Sequence, residues 1–515
     1  MNNNNDDTLE APLLPTMPPA EITTTSRRQT MAMLSNFSTS YNVVNISLVL
    51  PILQELHANA TEQKEAAVAS SLLAGMMLGQ VLGGALGDAW SPAKALLAVM
   101  MCQVVASLAS ASLAADNYWG LAAWRLLLGV GAGGVYPLAA VLSSAGGHKD
   151  SLHRVVVTFS MQGVGFAAVP VVAVVLLYVM PGRLDWVWRI LLALGSVPGV
   201  ILMFLQQSQL YSQVAPVVSE DQRQAVEHAQ AIENTLAENQ SADLSDGGEN
   251  ESVLDSTVDA LEQPDGLVCQ DDDVEEVATW SSSWWDAIRR EPDLTRKLLG
   301  TAATWFLFDV LFYGNTLFQP IVLEAALGGR DGLSHVKLLR KTAIDSLVLS
   351  AMALPGYATA GLLLGRTVCG QPQTARYVML QGFAVMAFLY MLIGISWKDL
   401  QHSHPIILVL LYGLTFFAAN YGPNTTTFVL PSVVYSPECR STLNGISAAA
   451  GKFGAAMGAT LFAPAADKWG DATVMLLCAL IATVAWFLTH HFVPRMDQVE
   501  EEAEESTEEP QRTIV

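Results

Sequence analysis

Residues 118–144 read YWGLAAWRLLLGVGAGGVYPLAAVLSS, an apolar stretch with one charged side chain, Arg125. A helix of about 20 apolar residues spans the hydrocarbon core of a bilayer. These residues are therefore predicted to form a transmembrane helix. The glycine run from Gly129 to Gly134 is no dinucleotide-binding fingerprint, because no strand precedes it and it lies inside the spanning stretch.

Similar apolar runs flank this stretch on both sides. They fall at roughly 30–56, 66–87, 93–114, 154–180 and 187–207, and again at roughly 298–323, 343–365, 374–396, 405–434, 440–466 and 472–493. Together with 118–144 they predict an all-α membrane protein with twelve transmembrane helices in two six-helix halves. An even number of spans places both termini on the same side of the membrane.

The runs divide the chain into five parts. We expect a disordered cytoplasmic N-terminus at 1–29, an N-terminal six-helix half at 30–207, an acidic cytoplasmic linker at 208–297 that ends in an amphipathic helix, a C-terminal six-helix half at 298–493 and an acidic cytoplasmic tail at 494–515. The amphipathic stretch contains Trp280, Trp284, Trp285, Arg289 and Arg290. Such a stretch is typical of a helix at the membrane interface, and the alternative is a helix that binds a partner protein.

The composition also indicates a membrane protein. Hydrophobic residues make up 51% and charged residues 14% of the 515 residues, whereas soluble domains carry about 25% charged residues. The formal net charge is -22, and it comes from residues 220–276, with eighteen acidic residues and one basic residue, and residues 495–515, with eight and two. The membrane body is nearly neutral, which argues against a nucleic-acid partner and against a soluble enzyme.

Nothing in the sequence predicts a metal or a cofactor. The five cysteines lack metal-ligand spacing, and we interpret them as small core residues rather than zinc ligands or disulfides. Residues 1–22 have no apolar signal-peptide core, so the first transmembrane helix itself is expected to direct insertion.

Basic residues near the helix ends predict the orientation. Those on the side of the N-terminus are Arg27, Arg28, Lys94, Lys149, Arg154, Arg289, Arg290, Arg296, Lys297, Arg366, Arg376, Arg440 and Arg495. Both termini and the linker are therefore expected in the cytoplasm, and Asn59 begins an external glycosylation sequon. The basic residues of the loop at 328–342 are an exception; either a long hairpin tolerates them, or they attract an anionic substrate weakly.

Polar residues inside the spans indicate a functional site, because they are expensive in lipid. In the seventh span, Trp305, Asp309 and Tyr313 are spaced i, i+4, i+8 and share one helix face. Asp309 is the one acid that we place in mid-membrane, and Lys452 lies in the middle of the eleventh span, too far from its ends to snorkel. The alternative for Asp309 is a carboxylate that serves helix packing.

Three other spans add candidate residues. Pro423 breaks the tenth span beside Asn424, an interruption of the kind that transporters place at a substrate site, although a plain kink is the alternative. Tyr136 follows the glycine run of the fourth span, and Gln162 lies in the fifth.

The charges of Asp309 and Lys452 would couple the binding of an anion at such a site to the binding of a proton. An anion about 4 Å from a charged Asp309 would be repelled by roughly 4 kcal/mol at an effective dielectric of 20, and Lys452 would attract it by a similar amount. Binding would therefore favour protonated Asp309, and loss of the proton would favour release.

These motifs resemble the major facilitator superfamily and, within it, the phosphate:proton symporters of fungi and plants. The matching segments are Arg125 to Leu138, Thr304 to Tyr313 with Leu317 to Gln319, Leu354 to Tyr357, Gly422 to Pro431, and Arg440 to Thr442 with Gly445 to Ala455. The resemblance implies a phosphate pocket formed by Tyr136, Gln162, Trp305, Asp309, Tyr313, Asn424 and Lys452. It also implies that Asp309 couples transport to protons, and it implies gating roles for Asp88, Arg125, Arg366 and Arg440.

Several acids usual in that family are missing here. At the positions that differ from the family, this sequence has Thr39-Ser40-Tyr41-Asn42 in the first span, Val135, Val433, Ser91-Pro92-Ala93 after the second span, and Gly365 before Arg366. The pocket residues of that family are all present, whereas several of its proton-relay and gating residues are missing.

The sequence therefore predicts a secondary transporter of inorganic phosphate that works by alternating access with proton coupling. Its expected partners are phosphate, protons and the lipid bilayer, and we expect a monomer, by family default in the plasma membrane. Two alternatives stay open. One is transport of phosphate or another anion with altered coupling (uniport, sodium-linked or export), and the other is a phosphate sensor with little transport.

Overall fold

The structure, a computed structural model, describes residues 19–57, 61–144, 148–214, 283–316, 319–327 and 333–495. The predictions for the two chain ends, most of the acidic linker, Asn59, Cys269 and Arg330 lie outside the described residues.

Helices dominate the described residues. Before the linker they are α1 (Pro19–Val44), α2 (Ile46–Leu56), α3 (Glu62–Ala89), α4 (Pro92–Ser112), α5 (Tyr118–Ser144), α6 (His148–Val179), α7 (Leu184–Ala193) and α8 (Val197–Val214), with a 3-10 turn at Leu194–Ser196. After it they are α9 (Ser283–Arg290), α10 (Leu294–Leu298), α11 (Thr304–Asn315), α12 (Gln319–Leu327), α13 (His335–Leu363), α14 (Ala375–Ile395), α15 (Trp397–His402), α16 (Pro405–Tyr421), α17 (Pro423–Val434), α18 (Arg440–Trp469) and α19 (Asp471–Phe492), with a π-helical turn at Leu299–Ala303. We refer to α1–α8 as the N half and to α10–α19 as the C half.

Within the described ranges, ten helical segments are long and apolar enough to cross a membrane. They coincide with ten of the twelve predicted spans. The first predicted span is divided between α1 and α2, and α1 is less apolar because it is rich in buried Ser, Thr and Asn. The seventh is apolar, but it is divided between α10, the π-helical turn and α11, which is only 12 residues long.

The predicted interruption at Pro423 is present. Helix α16 ends at Tyr421 and α17 begins at Pro423, and the intervening Gly422 has φ -97° and ψ -108°, outside the helical region. Proline lacks the backbone N–H that would continue the helix. The break places Asn424 in the first turn of α17.

A two-stranded hairpin joins α13 to α14. Strands β1 (Thr367–Val368) and β2 (Gln371–Pro372) pair antiparallel, and the turn residues Cys369 and Gly370 have φ of 50° and 78°. Positive φ at both turn positions suits a tight hairpin. Cys369 is exposed, so its interpretation as a core residue is wrong, whereas Cys439 and Cys478 are buried.

Helices α3 and α5 pack backbone against backbone. A β-carbon at Gly79 would lie 2.7 Å from the carbonyl carbon of Val130, and β-carbons at Gly75 and Gly83 would collide with α5 in the same way. Glycines spaced by four residues lie on one helix face, and small residues on such a face let two membrane helices approach closely. This contact holds Tyr136 on α5 in a fixed position within the N half.

Gly79→Ala is expected to destabilise the protein by about 1–3 kcal/mol, because the added methyl group overpacks the α3–α5 contact. The measurement is thermal unfolding of the purified protein in detergent. Gly182→Ala is the control, since a β-carbon there meets nothing within 4 Å, and it should change stability by less than about 0.5 kcal/mol. Equal melting temperatures for the two variants would contradict the close packing.

Candidate functional site

A buried ion pair lies at the centre of the described helices. Lys452 Nζ on α18 donates to Asp309 Oδ2 on α11 at 2.8 Å, and the two residues are 4% and 2% exposed. Lys452 Nζ also donates to Tyr313 Oη at 3.2 Å and lies 4.8 Å from the centre of the Tyr313 ring. A charge in a low-dielectric interior needs such partners, because burying it alone costs several kcal/mol.

Glycines on α18 allow the two helices to come this close. A β-carbon at Gly451 would lie 2.7 Å from Nε1 of Trp305, and β-carbons at Gly454 and Gly458 would collide with the backbone of α11. The small residues of the eleventh span therefore serve packing. They also set the distance between Asp309 and Lys452.

A chain of hydrogen bonds connects the remaining polar candidates. Tyr136 Oη donates to Gln162 Oε1 at 3.1 Å, and Gln162 Nε2 donates to Tyr357 Oη at 3.3 Å. Asn424 Nδ2 donates to the same Tyr357 oxygen at 2.9 Å. This chain crosses from α5 and α6 of the N half to α13 and α17 of the C half.

All seven predicted pocket residues line one cavity. The lining residues are Tyr136, Phe159, Gln162, Trp305, Asp309, Phe312, Tyr313, Asn424 and Lys452. The cavity has room for about one water molecule, so it must widen to admit a larger ligand. One cation, one carboxylate and several hydroxyl and amide groups suit a small oxyanion, and the carboxylate can also take up a proton.

Three residues at or beside the site were not predicted from the sequence, namely Phe159, Phe312 and Tyr357. Phe159 and Phe312 are ordinary apolar residues of their spans, and no sequence signal separates them from core residues. Tyr357 belongs to the matching segment Leu354 to Tyr357, but that segment gave no reason to place its hydroxyl beside Gln162 and Asn424.

Asp309 is not the only buried acid inside a span. Asp345 on α13 is also buried, at 5% exposure, but it lies near the start of its predicted span, and the expectation of a single mid-membrane acid stays a prediction. The predicted span began at 343, close to Asp345, whereas α13 begins at His335. In the described ranges, no group of three or more His, Cys, Asp or Glu residues could hold a metal ion.

Asp88 closes one end of the interface between the halves. Its Oδ1 and Oδ2 accept from the backbone N–H groups of Ser441 at 3.0 Å and Thr442 at 2.7 Å, at the start of α18. The first N–H groups of a helix have no partner within the helix, and the helix dipole favours a negative charge there. The carboxylate of α3 therefore binds the N-terminus of α18 across the two halves.

Of the other predicted gating residues, Arg440 lies close to Asp88, whereas Arg125 and Arg366 lie elsewhere. Arg125 is buried on α5, where Nη1 donates to Asn45 Oδ1 at 3.0 Å. Arg440 Nε donates to the Tyr435 carbonyl at 2.9 Å, next to the Asp88 contact. Arg366 is exposed beside the hairpin. Their roles in gating stay predictions.

A second carboxylate holds the segment that precedes α18. Glu291, which follows α9, accepts from Lys297 Nζ at 2.9 Å and from the backbone N–H of Ser436 at 3.2 Å. The Cys439 thiol lies 3.4 Å from Glu291 Oε2, and burial, followed by the Glu291 charge, raises the pKa of that thiol. The thiol therefore stays protonated and can donate to Glu291.

The opposite end of the interface is closed by α13. Arg340 Nη2 donates to the Leu177 carbonyl at 2.9 Å and stacks on Tyr178 at 4.2 Å, and His335 Nδ1 lies 2.7 Å from Glu55 Oε2. Cations favour the C-terminal end of a helix such as α6. Arg340, one of the basic exceptions to the predicted orientation, therefore has a structural contact and lies on a helix rather than in a loop.

The cavity thus lies between two closed ends, each made by contacts between the N half and the C half. A polar site enclosed in this way, within two sets of membrane-spanning helices, is typical of a secondary transporter. The sequence matches the model of the Major Facilitator Superfamily over residues 32–459. The chain belongs to this superfamily, and it is an integral multi-pass membrane protein.

The chain is also similar to curated proteins that are named as inorganic phosphate transporters. The chain is 29% identical over 445 residues to the putative inorganic phosphate transporter 1-13 of Oryza sativa subsp. japonica, covering 82% of this chain and 80% of the relative. It is 28% identical over 362 residues to the putative inorganic phosphate transporter C1683.01 of Schizosaccharomyces pombe, covering 66% of this chain and 60% of the relative. The chain therefore matches less than two thirds of the length of the yeast relative.

Solved structures confirm the fold. The proton:xylose symporter XylE bound to 6-bromo-6-deoxy-D-glucose superposes with a TM-score of 0.64 at 15% identity, covering 93% of this chain and 99% of XylE. The human organic anion transporter MFSD10 gives a TM-score of 0.56 at 14% identity, covering 92% and 100%. The fold class predicted from the sequence is therefore confirmed.

Asp88→Asn is expected to open the interface more often, because the helix-terminus contact that it weakens is worth about 1–2 kcal/mol. The readout is maleimide labelling of a cysteine introduced at Ser441, which is 0% exposed. Labelling should be about tenfold faster in Asp88→Asn, since 1.4 kcal/mol changes a population tenfold. The native exposed Cys369 is the internal standard, and equal Ser441→Cys rates in both backgrounds would refute the gate.

Asp309→Asn and Lys452→Met are each expected to destabilise the protein by about 3–5 kcal/mol, because each leaves a buried charge without its partner. The double variant should lose much less than the sum of the two. Thermal unfolding in detergent measures all three. The matched control is the more exposed pair Arg189–Asp185, at 3.1 Å, for which the same cycle should give a coupling of about 0–1 kcal/mol. Additive losses at 309 and 452 would contradict the ion pair.

Proposed function

We propose that this protein transports inorganic phosphate by alternating access and that Asp309 couples transport to protons. The observation that carries the proposal is the Asp309–Lys452 pair, which lies in the cavity between the two halves. The names of the yeast and plant relatives support phosphate as the substrate. The lining hydroxyl, amide and ammonium groups are suited to an oxyanion.

Competition for Lys452 provides the coupling. The ammonium group can pair with Asp309 or with an entering anion, and a charged Asp309 would repel that anion by roughly 4 kcal/mol at about 4 Å. Protonation of Asp309 removes the repulsion and frees Lys452 for phosphate. Deprotonation returns Lys452 to Asp309 and releases phosphate, so one proton and one phosphate enter and leave together.

The main alternative is phosphate transport with altered coupling. It is favoured by the neutral partner of Arg125, which is the amide of Asn45 rather than a carboxylate. In this case the Asp309–Lys452 pair would still bind phosphate, but accumulation would not follow the proton gradient. A phosphate sensor with little transport is the second alternative, in which phosphate binds without crossing the membrane.

Several further features belong to the same proposal. We place the six-helix halves at 30–207 and 298–493, with both termini and the acidic linker in the cytoplasm. The protein would act as a monomer in the plasma membrane. As a transporter it would change no covalent bond in its substrate.

Uptake of labelled phosphate into liposomes that contain the purified protein tests the proposal. An inward proton gradient is expected to drive accumulation in the unmodified protein, and Asp309→Asn should reduce it at least about tenfold, since the proton-dependent release of phosphate is lost. Asp309→Glu, which keeps the carboxylate, should restore part of it. The exposed Asp185→Asn is the control and should transport normally.

Each other result has its own meaning. Uptake that ignores the gradient indicates altered coupling, and binding without uptake indicates a sensor. Loss of coupling in Asp345→Asn but not in Asp309→Asn would show that Asp345, and not Asp309, carries the coupled proton. Transport of a different anion and not of phosphate would sink the substrate assignment.

A further inference from the structure

Tyr357 holds together two amides that belong to different halves. Its hydroxyl oxygen accepts from Gln162 Nε2 on α6 at 3.3 Å and from Asn424 Nδ2 on α17 at 2.9 Å. The residue is 2% exposed, and its ring packs on Phe159 at 5.8 Å between centroids. Tyr357 is not among the cavity-lining residues, so it can act on a ligand only through the side chains that it holds.

The orientation of the Asn424 amide follows from its neighbours. Asn420 Nδ2 donates to the Phe416 carbonyl at 2.8 Å, which leaves Asn420 Oδ1 as the atom that faces Asn424. Asn424 Nδ2 donates to that oxygen at 2.6 Å and to Tyr357 at 2.9 Å. Both N–H groups of the Asn424 amide are therefore used, because an amide nitrogen has two donors.

The group that Asn424 has left for the cavity is its carbonyl oxygen, which only accepts hydrogen bonds. Gln162 is fixed in the same way, since its Oε1 accepts from Tyr136 at 3.1 Å while its Nε2 donates to Tyr357. An oxyanion without a proton would place an acceptor oxygen against Asn424 Oδ1, which is also an acceptor, and no hydrogen bond would form. An oxyanion that bears a hydroxyl can donate to it.

We propose that Tyr357 is a positioning residue that keeps the Asn424 carbonyl oxygen toward the cavity, and that this oxygen selects a hydroxyl-bearing oxyanion such as phosphate over a proton-free one such as sulfate. The proposal rests on the proposed function and specifies its substrate class. A buried acceptor left without a donor weakens binding by about ten- to hundredfold. Sulfate should be rejected by a factor of that order.

Competition binding with the purified full-length protein tests the proposal without any need for transport. Labelled phosphate is displaced by unlabelled phosphate or by sulfate, and the ratio of the two midpoints measures selectivity. In the unmodified protein sulfate should need at least about a tenfold higher concentration than phosphate. Tyr357→Phe keeps the ring on Phe159 but removes the hydroxyl, so the Asn424 amide can rotate and the ratio should fall toward one.

A second variant approaches the same amide from its other side. Asn420→Leu removes the oxygen that holds the other Asn424 N–H group, and it should lower the selectivity ratio in the same direction. Tyr390→Phe is the control, because Tyr390 is a buried tyrosine on α14 outside the set of cavity-lining residues, and its ratio should match that of the unmodified protein.

The outcomes separate this proposal from the proposed function. Selective binding that is lost in Tyr357→Phe and in Asn420→Leu supports it, even if liposomes take up no phosphate. Weaker phosphate binding in Tyr357→Phe at an unchanged sulfate ratio overturns it, since the hydroxyl would then serve affinity alone. Equal binding of phosphate and sulfate by the unmodified protein, or no phosphate binding, also overturns it.

Discussion

The pairing of one buried ammonium group with one buried carboxylate governs the arrangement of this membrane protein. Lys452 and Asp309 lie 2.8 Å apart and nearly without exposure, where either charge alone would be costly. To bring them together, α11 and α18 must approach at the backbone, and the glycines of α18 make that possible. The helix pair, the cavity and the residues around it therefore follow from one electrostatic requirement.

At the two ends of the interface, Asp88 and Arg340 make a different kind of contact from the one at its centre. Asp88 and Arg340 bind backbone groups at helix ends rather than opposite charges on side chains. Such contacts are weaker than a buried ion pair, so they can break and re-form at low energetic cost. A transporter needs this combination, since its ends must open in turn while its centre must keep a specific ligand geometry.

The sequence predicts the site residues whose type alone shows that burying them in lipid is costly. A Lys or an Asp inside an apolar span has few explanations, and the i, i+4, i+8 spacing of Trp305, Asp309 and Tyr313 places them on one face without any structure. Partners are different, because they depend on how distant helices pack. The direct Asp309–Lys452 bond, the Glu291–Lys297 pair, the buried Asp345 and the contacts of Tyr357 could therefore not be predicted, and Cys369 was wrongly expected in the core.

The buried cations of the two halves have different partners, and this difference affects how transport could be coupled to protons. In the N half Arg125 meets the neutral amide of Asn45, and a guanidinium against an amide has no group that gains or loses a proton near neutral pH. In the C half Lys452 meets a carboxylate that can be protonated. The buried acids described inside the spans, Asp309 and Asp345, both belong to the C half. A change in protonation there must reach the N half through contacts that cross between them, and at the cavity the hydrogen bond from Gln162 to Tyr357 makes that connection.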